Sequence, residues 1–186
     1  MTAATALLRG INVGGHRTVP MADLRAVVEE LGHTQVATHL NSGNVVFAVA
    51  PSDAPPAGPD PAALAAAVAD GLHQRLALDV DVVVRTATQV DAVVAANPFD
   101  DAARTDPSHL VVVFYPDPVG DPALDTSRYG REQVVWDGAH AYVHYPDGIG
   151  RSRLTGDVLD SAAGQPGTGR NWRTVLAVQE LLRARA

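Results

Sequence analysis

The stretch Leu7–His16 (LLRGINVGGH) sets an arginine, an asparagine and two glycines into the first apolar run of the chain. Arginine is costly to bury unless it is paired, so Arg9 marks either a polar site or an internal tie. Asn41–Asn44 (NSGN) and Thr168–Thr174 (TGRNWRT) are two further polar strings between apolar segments. Guanidinium, amide and hydroxyl groups gathered near a helix N-terminus suit a carboxylate or a phosphate. The residues expected to hold such an anion are Arg9, Asn12, Ser42, Asn44, Arg170 and Asn171. The competing expectation is structural: glycine and asparagine as turn formers, with Arg9 tying turn carbonyls or pairing with Asp23 or Glu29.

Other chemistry is less favoured. His140, Tyr142 and His144 alternate on one expected strand and share a face, and His109 is placed on another strand. They form a conceivable metal or acid–base cluster, but ordinary strand histidines are the commoner case, and no metal site is assigned. Asp100, Asp101 and Asp106 read as a solvated acidic loop. Ser42 lacks the G-x-S-x-G setting of a nucleophile elbow. The chain has no cysteine and no lysine, which excludes thiolate nucleophiles, disulfides, Schiff-base chemistry and a Walker-type loop. No catalytic residue and no cofactor follow from the sequence.

The elements that must position these residues are read from periodicity. Ala3–Ile11 is an expected strand. Met21, Leu24, Val27, Val28 and Leu31 mark a helix opened by Pro20 and stopped by Gly32. Gln35–Leu40 and Val45–Val49 are strands around the NSGN turn. Asp60 caps a helix with Leu64, Val68, Leu72 and Leu76 on one face. Val80–Arg85 is a strand with one wet face. The order β-α-β-β-α-β over residues 3 to 85 is the split βαβ, ferredoxin-like pattern.

The second half is less regular. A short helix capped by Thr88 ends at NPF, Leu110–Tyr115 is a buried strand, and Asp137-Gly138 joins a hairpin. Asn171 caps a last helix with Val175, Val178 and Leu182 as its stripe. The expected class is α+β, with a ferredoxin-like subdomain over 1–86 and a smaller α+β subdomain over 87–186 packed on it. The second half echoes the first only loosely.

In a ferredoxin-like sheet the end of strand one lies beside the start of strand three. Arg9, Asn12, Asn41, Ser42 and Asn44 are therefore expected to converge although some thirty residues separate the two stretches. Net charge is −7, the wrong sign for nucleic acid, and strands one and three offer only Phe47 as an aromatic platform. The N-terminus lacks a signal pattern and no apolar run could span a bilayer, so the expected location is cytoplasmic.

The strings LLRGINVGG, VPMADLR, LNSGNVVF, ANPF, YPDGIGRSRLT and GRNWRTV occur in this order. Together they resemble the uncharacterised bacterial family known as domain of unknown function 1697, from Ala6 to about Leu182. The resemblance implies an α+β fold with a ferredoxin-like N-terminal part and names no reaction. Relative to the family pattern, His16 stands where a lysine is usual, Asn41 where glutamine is common, and Gly169 where a second threonine often precedes the arginine. A catalytic lysine would hardly be replaced by histidine, so position 16 is a supporting charge.

The leading expectation is a protein that binds a small anionic metabolite or nucleotide where the N-terminal sheet end meets the GRNW segment. The alternative is an enzyme using His16 or His39 as acid or base in the same pocket. A nucleic-acid module ranks below both, and an oligomeric interaction module is the bland reading. Whether the chain oligomerises is left open.

Overall fold

The structure, a computed structural model, describes residues 2–14, 17–53 and 58–185. Gly15 and His16 lie outside the described residues. Contacts divide the chain into two compact units, residues 1–92 with 177–186, and residues 93–176.

The first unit opens with β1 (Ala3–Leu8), α1 (Met21–Glu30), β2 (Thr34–His39) and β3 (Asn44–Ala48). It continues with α2 (Pro61–Leu76), β4 (Val82–Thr86) and α3 (Ala87–Ala95), whose last turn belongs to the second unit. The sheet is antiparallel in the order β2-β3-β1-β4. The expected β-α-β-β-α-β order is therefore present, in an α+β chain. Alternation sends Ala4, Ala6, Leu8, Val45, Phe47 and Val84 toward Leu24, Val28, Val68 and Leu72 of the two helices. The opposite face is also covered: Ala3 and Val46 pack with Val90 of α3 and with Val178 and Leu182 near the C-terminus. This corrects the wet face expected for β4. Val83 and Arg85 on that side are buried, because a helix lies on each face of the sheet. Asp60 caps α2 as expected, accepting from the Ala62 N–H at 2.9 Å.

The second unit holds α4 (Asp100–Thr105), β5 (Leu110–Phe114), β6 (Gln133–Asp137), β7 (His140–His144), α5 (Gly156–Ala163) and β8 (Thr168–Asn171). β8 runs directly into α6 (Trp172–Arg183), whose C-terminal part belongs to the first unit. Its sheet is antiparallel in the order β6-β7-β5-β8. Val111, Val113, Ala141 and Val143 pack with Leu154 and Leu159 around α5.

The two sheets share one plan. β5, β6, β7, α5 and β8 follow each other as β1, β2, β3, α2 and β4 do, and the strand orders are the same. In each unit the last strand passes without a loop into a helix. The echo that is loose in the sequence is thus complete in strand topology. The missing counterpart is α1, replaced by residues 115–132 with a single 3₁₀ turn at Thr126–Tyr129.

Candidate anion site at the end of the first sheet

β1 ends at Leu8, three residues earlier than expected, because Gly10 and Asn12 turn the chain into the left-handed region (φ 60° and 56°). Two loops meet there. The Leu8 N–H donates to the Gly43 carbonyl at 2.8 Å, and the Arg9 N–H donates to the Asp81 carbonyl at 2.9 Å. Asn12 is the tie between them. Its Nδ2 donates to the carbonyls of Asn41 (2.7 Å) and Val19 (3.0 Å), while its Oδ1 accepts from the Val19 N–H (2.9 Å). Asn44 is fully buried and donates to the His39 carbonyl and to Ser42 Oγ at 2.9 and 3.0 Å.

Gly43 is fixed by sterics as well as by its φ of 75°. A Cβ there would stand 2.7 Å from Leu8 Cβ and 2.9 Å from Ile11 Cδ1. Leu40 also takes a left-handed φ of 57° while 60% exposed, an unusual state for a residue with a Cβ. Arg17 (φ 50°) lines an open cavity of about 450 Å³ with Asp70, His73, Asp79 and Asp81. His73 and Asp79 pair across it at 2.8 Å.

Four of the six expected residues, Arg9, Asn12, Ser42 and Asn44, thus come together at one sheet end. Within that group Asn12 and Asn44 spend their amides on holding the loops, while Arg9 is half-buried at the strand end. Asp23, expected as a partner for Arg9, is held instead by Arg75 at 2.8 Å, which also binds Glu30.

Arg170 and Asn171 belong to the second unit. Arg170 is buried and donates to Thr168 Oγ1 and the Gly169 carbonyl, both at 2.8 Å. Burial pushes its guanidinium down to about 10. Asn171 Oδ1 accepts from the Thr174 N–H at 2.9 Å and caps the start of α6. The sequence reading missed the counterpart of this pair. Arg85 is buried in β4, donates to the Val84 carbonyl at 2.8 Å, and is pushed down to about 10 by the same cause. Thr86 and Gln89 then form a reciprocal capping box at the start of α3, so Thr86 rather than Thr88 is the cap. The signal was in the sequence: RTATQV and RNWRTV each read arginine, cap, two variable residues, a polar residue and valine.

The histidine strand is occupied locally. His140 Nε2 lies 3.1 Å from the Tyr142 hydroxyl, which donates to the Val93 carbonyl at 2.7 Å. His109 Nδ1 is 2.5 Å from Asp106, away from that face. Among the described residues no group of three or more histidine or acidic side chains could hold a metal ion. Phe47 is buried and stacked on His33 with ring centroids 4.6 Å apart, so it offers no platform to a base. Among the described residues no helix is long and apolar enough to cross a membrane.

The chain resembles the conserved bacterial protein SP0830 from Streptococcus pneumoniae. The two share 19% identity at a TM-score of 0.65, over 97% of this chain and 98% of that one. That likeness extends to the fold alone. No curated protein matches the chain. A family model described as a protein of unknown function (DUF1697) matches residues 1–142, so the chain belongs to that family.

Proposed function

We propose that the first unit binds a small anionic metabolite, a nucleotide being one class, at the sheet end that carries Arg9 and Arg17. The observation that carries this reading is the paired-loop geometry. Two loops are tied through Asn12 and held at left-handed φ at Gly10, Asn12, Gly14, Arg17, Leu40 and Gly43. Successive turns of this kind aim backbone N–H groups into a concavity that favours anions. Strained backbone that the surroundings must over-determine clusters at ligand sites. Arg9 and Arg17 supply formal charge, and Ser42 a hydroxyl. The acidic flank formed by Asp70, Asp79 and Asp81 disfavours a highly charged anion and suits a compact one. Arg170 and Asn171, expected in the same pocket, are read as framework of the second unit.

We further classify the first unit as ferredoxin-like, on its strand order, and the protein as cytoplasmic, on its composition. Acid–base chemistry at the same sheet end is the second reading. It is favoured by His39, which closes β2 opposite Asn44.

The test is a thermal-shift screen of wild type, Arg9→Ala and Arg17→Ala against inorganic phosphate, nucleotides, sugar phosphates and carboxylic acids. A ligand at 100 times its Kd stabilises by about 2.7 kcal/mol. One class should stabilise wild type and lose most of that effect in both folded variants. If no class does so, or if the variants respond like wild type, the sheet end is not an anion site.

A further inference from the structure

A sheet of four strands has two edges, and among the described residues three of the four edges are blunted. β2 carries a bulge between Thr34 and Ala37, and the left-handed Gln35 within it has its carbonyl bound by Arg185 at 2.6 Å. β4 is buried through Val83, Val84 and Arg85. β8 is only four residues long before it becomes α6. β6 has none of these protections. It pairs with β7 in unbroken register over Gln133–Asp137, contains no proline or bulge, and carries one charge, at its last residue. Flat, regular edges of this kind invite another strand.

The register shows which backbone groups are on offer. Asp137 and His140 close a two-residue turn, in which Gly138 takes φ 55°, so they form a hydrogen-bonded pair. Alternation along an antiparallel ladder makes Val135–Tyr142 and Gln133–His144 the next such pairs. The N–H and C=O groups of Val134 and Trp136 therefore point away from β7. Among the described residues no other hydrogen bond reaches them.

We infer that β6 is a dimerisation edge, pairing antiparallel with β6 of a second copy about a two-fold axis at Val135. The occupant is argued from self-complementarity. Pairing centred on Val135 sets Val134 opposite the second copy's Trp136, so both outward residues of each strand exchange both hydrogen bonds. On one face Val135, 39% exposed, meets its own symmetry mate. On the same face Gln133 meets Asp137 of the other copy, an amide donor against a carboxylate, and no like charges face each other. Shifting the centre by one residue to Val134 or Trp136 keeps the hydrogen-bond phase but sets Val135 opposite Gln133 or Asp137. The centred register alone matches apolar with apolar and donor with acceptor. The result is one continuous eight-stranded sheet with an isologous interface.

Sedimentation equilibrium of the full chain over a wide concentration range tests this. Wild type should show a reversible monomer–dimer equilibrium. Val135→Lys places two like charges directly opposite each other and should raise the dimer Kd about ten-fold or more. Gln133→Asp should weaken it in the same direction, by facing Asp137 of the second copy. Gln133→Arg should strengthen it, a gain that only this register provides. Thr34→Lys on the blunted β2 edge should leave the equilibrium unchanged. All three positions are exposed, and circular dichroism confirms folding of each of the four variants. A wild type that stays monomeric throughout overturns the proposal and leaves the edge to a strand from a different protein. So does a dimer whose Kd ignores the substitutions at Gln133 and Val135.

Discussion

The two units follow the same strand order, but only the first carries paired loops with arginines at the end of its opening strand. After β1 come Arg9, Gly10 and the tied loop. After β5 comes Tyr115, fully buried, whose N–H donates to the Ala139 carbonyl at 2.9 Å. At the other end of the plan the units agree: Arg85 and Thr86 in one, Arg170 and Asn171 in the other. Each pair is a buried arginine bonded to the preceding carbonyl, followed by a residue that caps the next helix. A feature present in both halves is most simply part of the framework that both need. A feature present in one is where the halves differ in task. By that comparison the buried arginines support the strand-to-helix passage, and the Arg9 loops, the part in which the units differ, are where the proposed anion site is to be tested.

Glycines at points of close approach break the comparison most severely. Gly43 lies against Leu8 in the first unit, and in the second a Cβ on Gly167 would stand 2.5 Å from the Tyr115 ring. Gly43→Ala adds a left-handed penalty to the overlap and should destabilise by about 3 kcal/mol. Gly167→Ala should cost about 2 kcal/mol through overlap alone. Tryptophan fluorescence distinguishes where the loss falls, because Trp136 and Trp172 are both in the second unit. The Gly167 variant should shift the fluorescence transition in denaturant. The Gly43 variant should shift the far-ultraviolet transition more than the fluorescence one.

Alkaline pH separates the units next. All four tyrosines are in the second unit. Burial raises Tyr145 to about 12 and raises Tyr142 as well, with the charge of Asp137 adding to the second shift and that of Glu132 to the first. Between pH 10 and about 12 the unfolded chain gives up the Tyr145 proton while the folded unit keeps it. The stabilisation is therefore whole below pH 10 and is lost as pH rises toward 12. Tyr145 accounts for a loss of about 2.7 kcal/mol, read as the difference between the wild-type and Tyr145→Phe fluorescence midpoints, because Arg170, lowered to about 10 in the same unit, acts in the opposite sense over this range. Tyr145→Phe gives up the bond to the Leu154 carbonyl but should flatten this part of the pH dependence. An unchanged slope would show that Tyr145 is not its source.

The helix caps give a smaller and more exacting comparison. Thr86→Ala and Asn171→Ala should each cost about 1 kcal/mol. Similar losses with ligand affinity unchanged support a framework role for both. Loss of ligand binding in Asn171→Ala alone would return that residue to the site.

Much of this arrangement is legible in the residue pattern, for reasons that are local. The heptad-like spacing from Met21 to Leu31, the Asp60-Pro61 start of α2 and the Asp137-Gly138 turn each act over a few residues, so they survive without tertiary context. The convergence of Arg9 with the NSGN turn was legible because antiparallel pairing of β1 with β3 brings those two ends together. What could not be read locally was coverage. Val80–Arg85 alternates like a half-wet strand, and nothing within it reveals that α3, which follows it directly, and α6, remote in sequence, cover the second face of the sheet. Arg85 was hidden by that same step. The roles of Asn12 and Asn44 were equally obscure: an asparagine between two loops looks the same whether its amide faces a ligand or a carbonyl.

The finest comparison sets Leu40 against Ala77, two residues with side chains held at left-handed φ, 57° and 51°. Ala77 ends α2, its N–H donating to the His73 carbonyl at 2.8 Å, a position that usually takes glycine. Ala77→Gly should stabilise the first unit by about 0.5–1 kcal/mol, since relief of strain outweighs the added freedom of the unfolded chain. Leu40→Gly relieves the same strain at an exposed position and should stabilise by a similar amount. The two should part on binding. If the exposed leucine is kept in its strained state to contact a ligand beside Arg9, Leu40→Gly weakens that ligand while Ala77→Gly leaves it untouched. Equal gains in stability with equal affinities would instead make Leu40 an ordinary turn residue and confine the ligand to the backbone and the arginines.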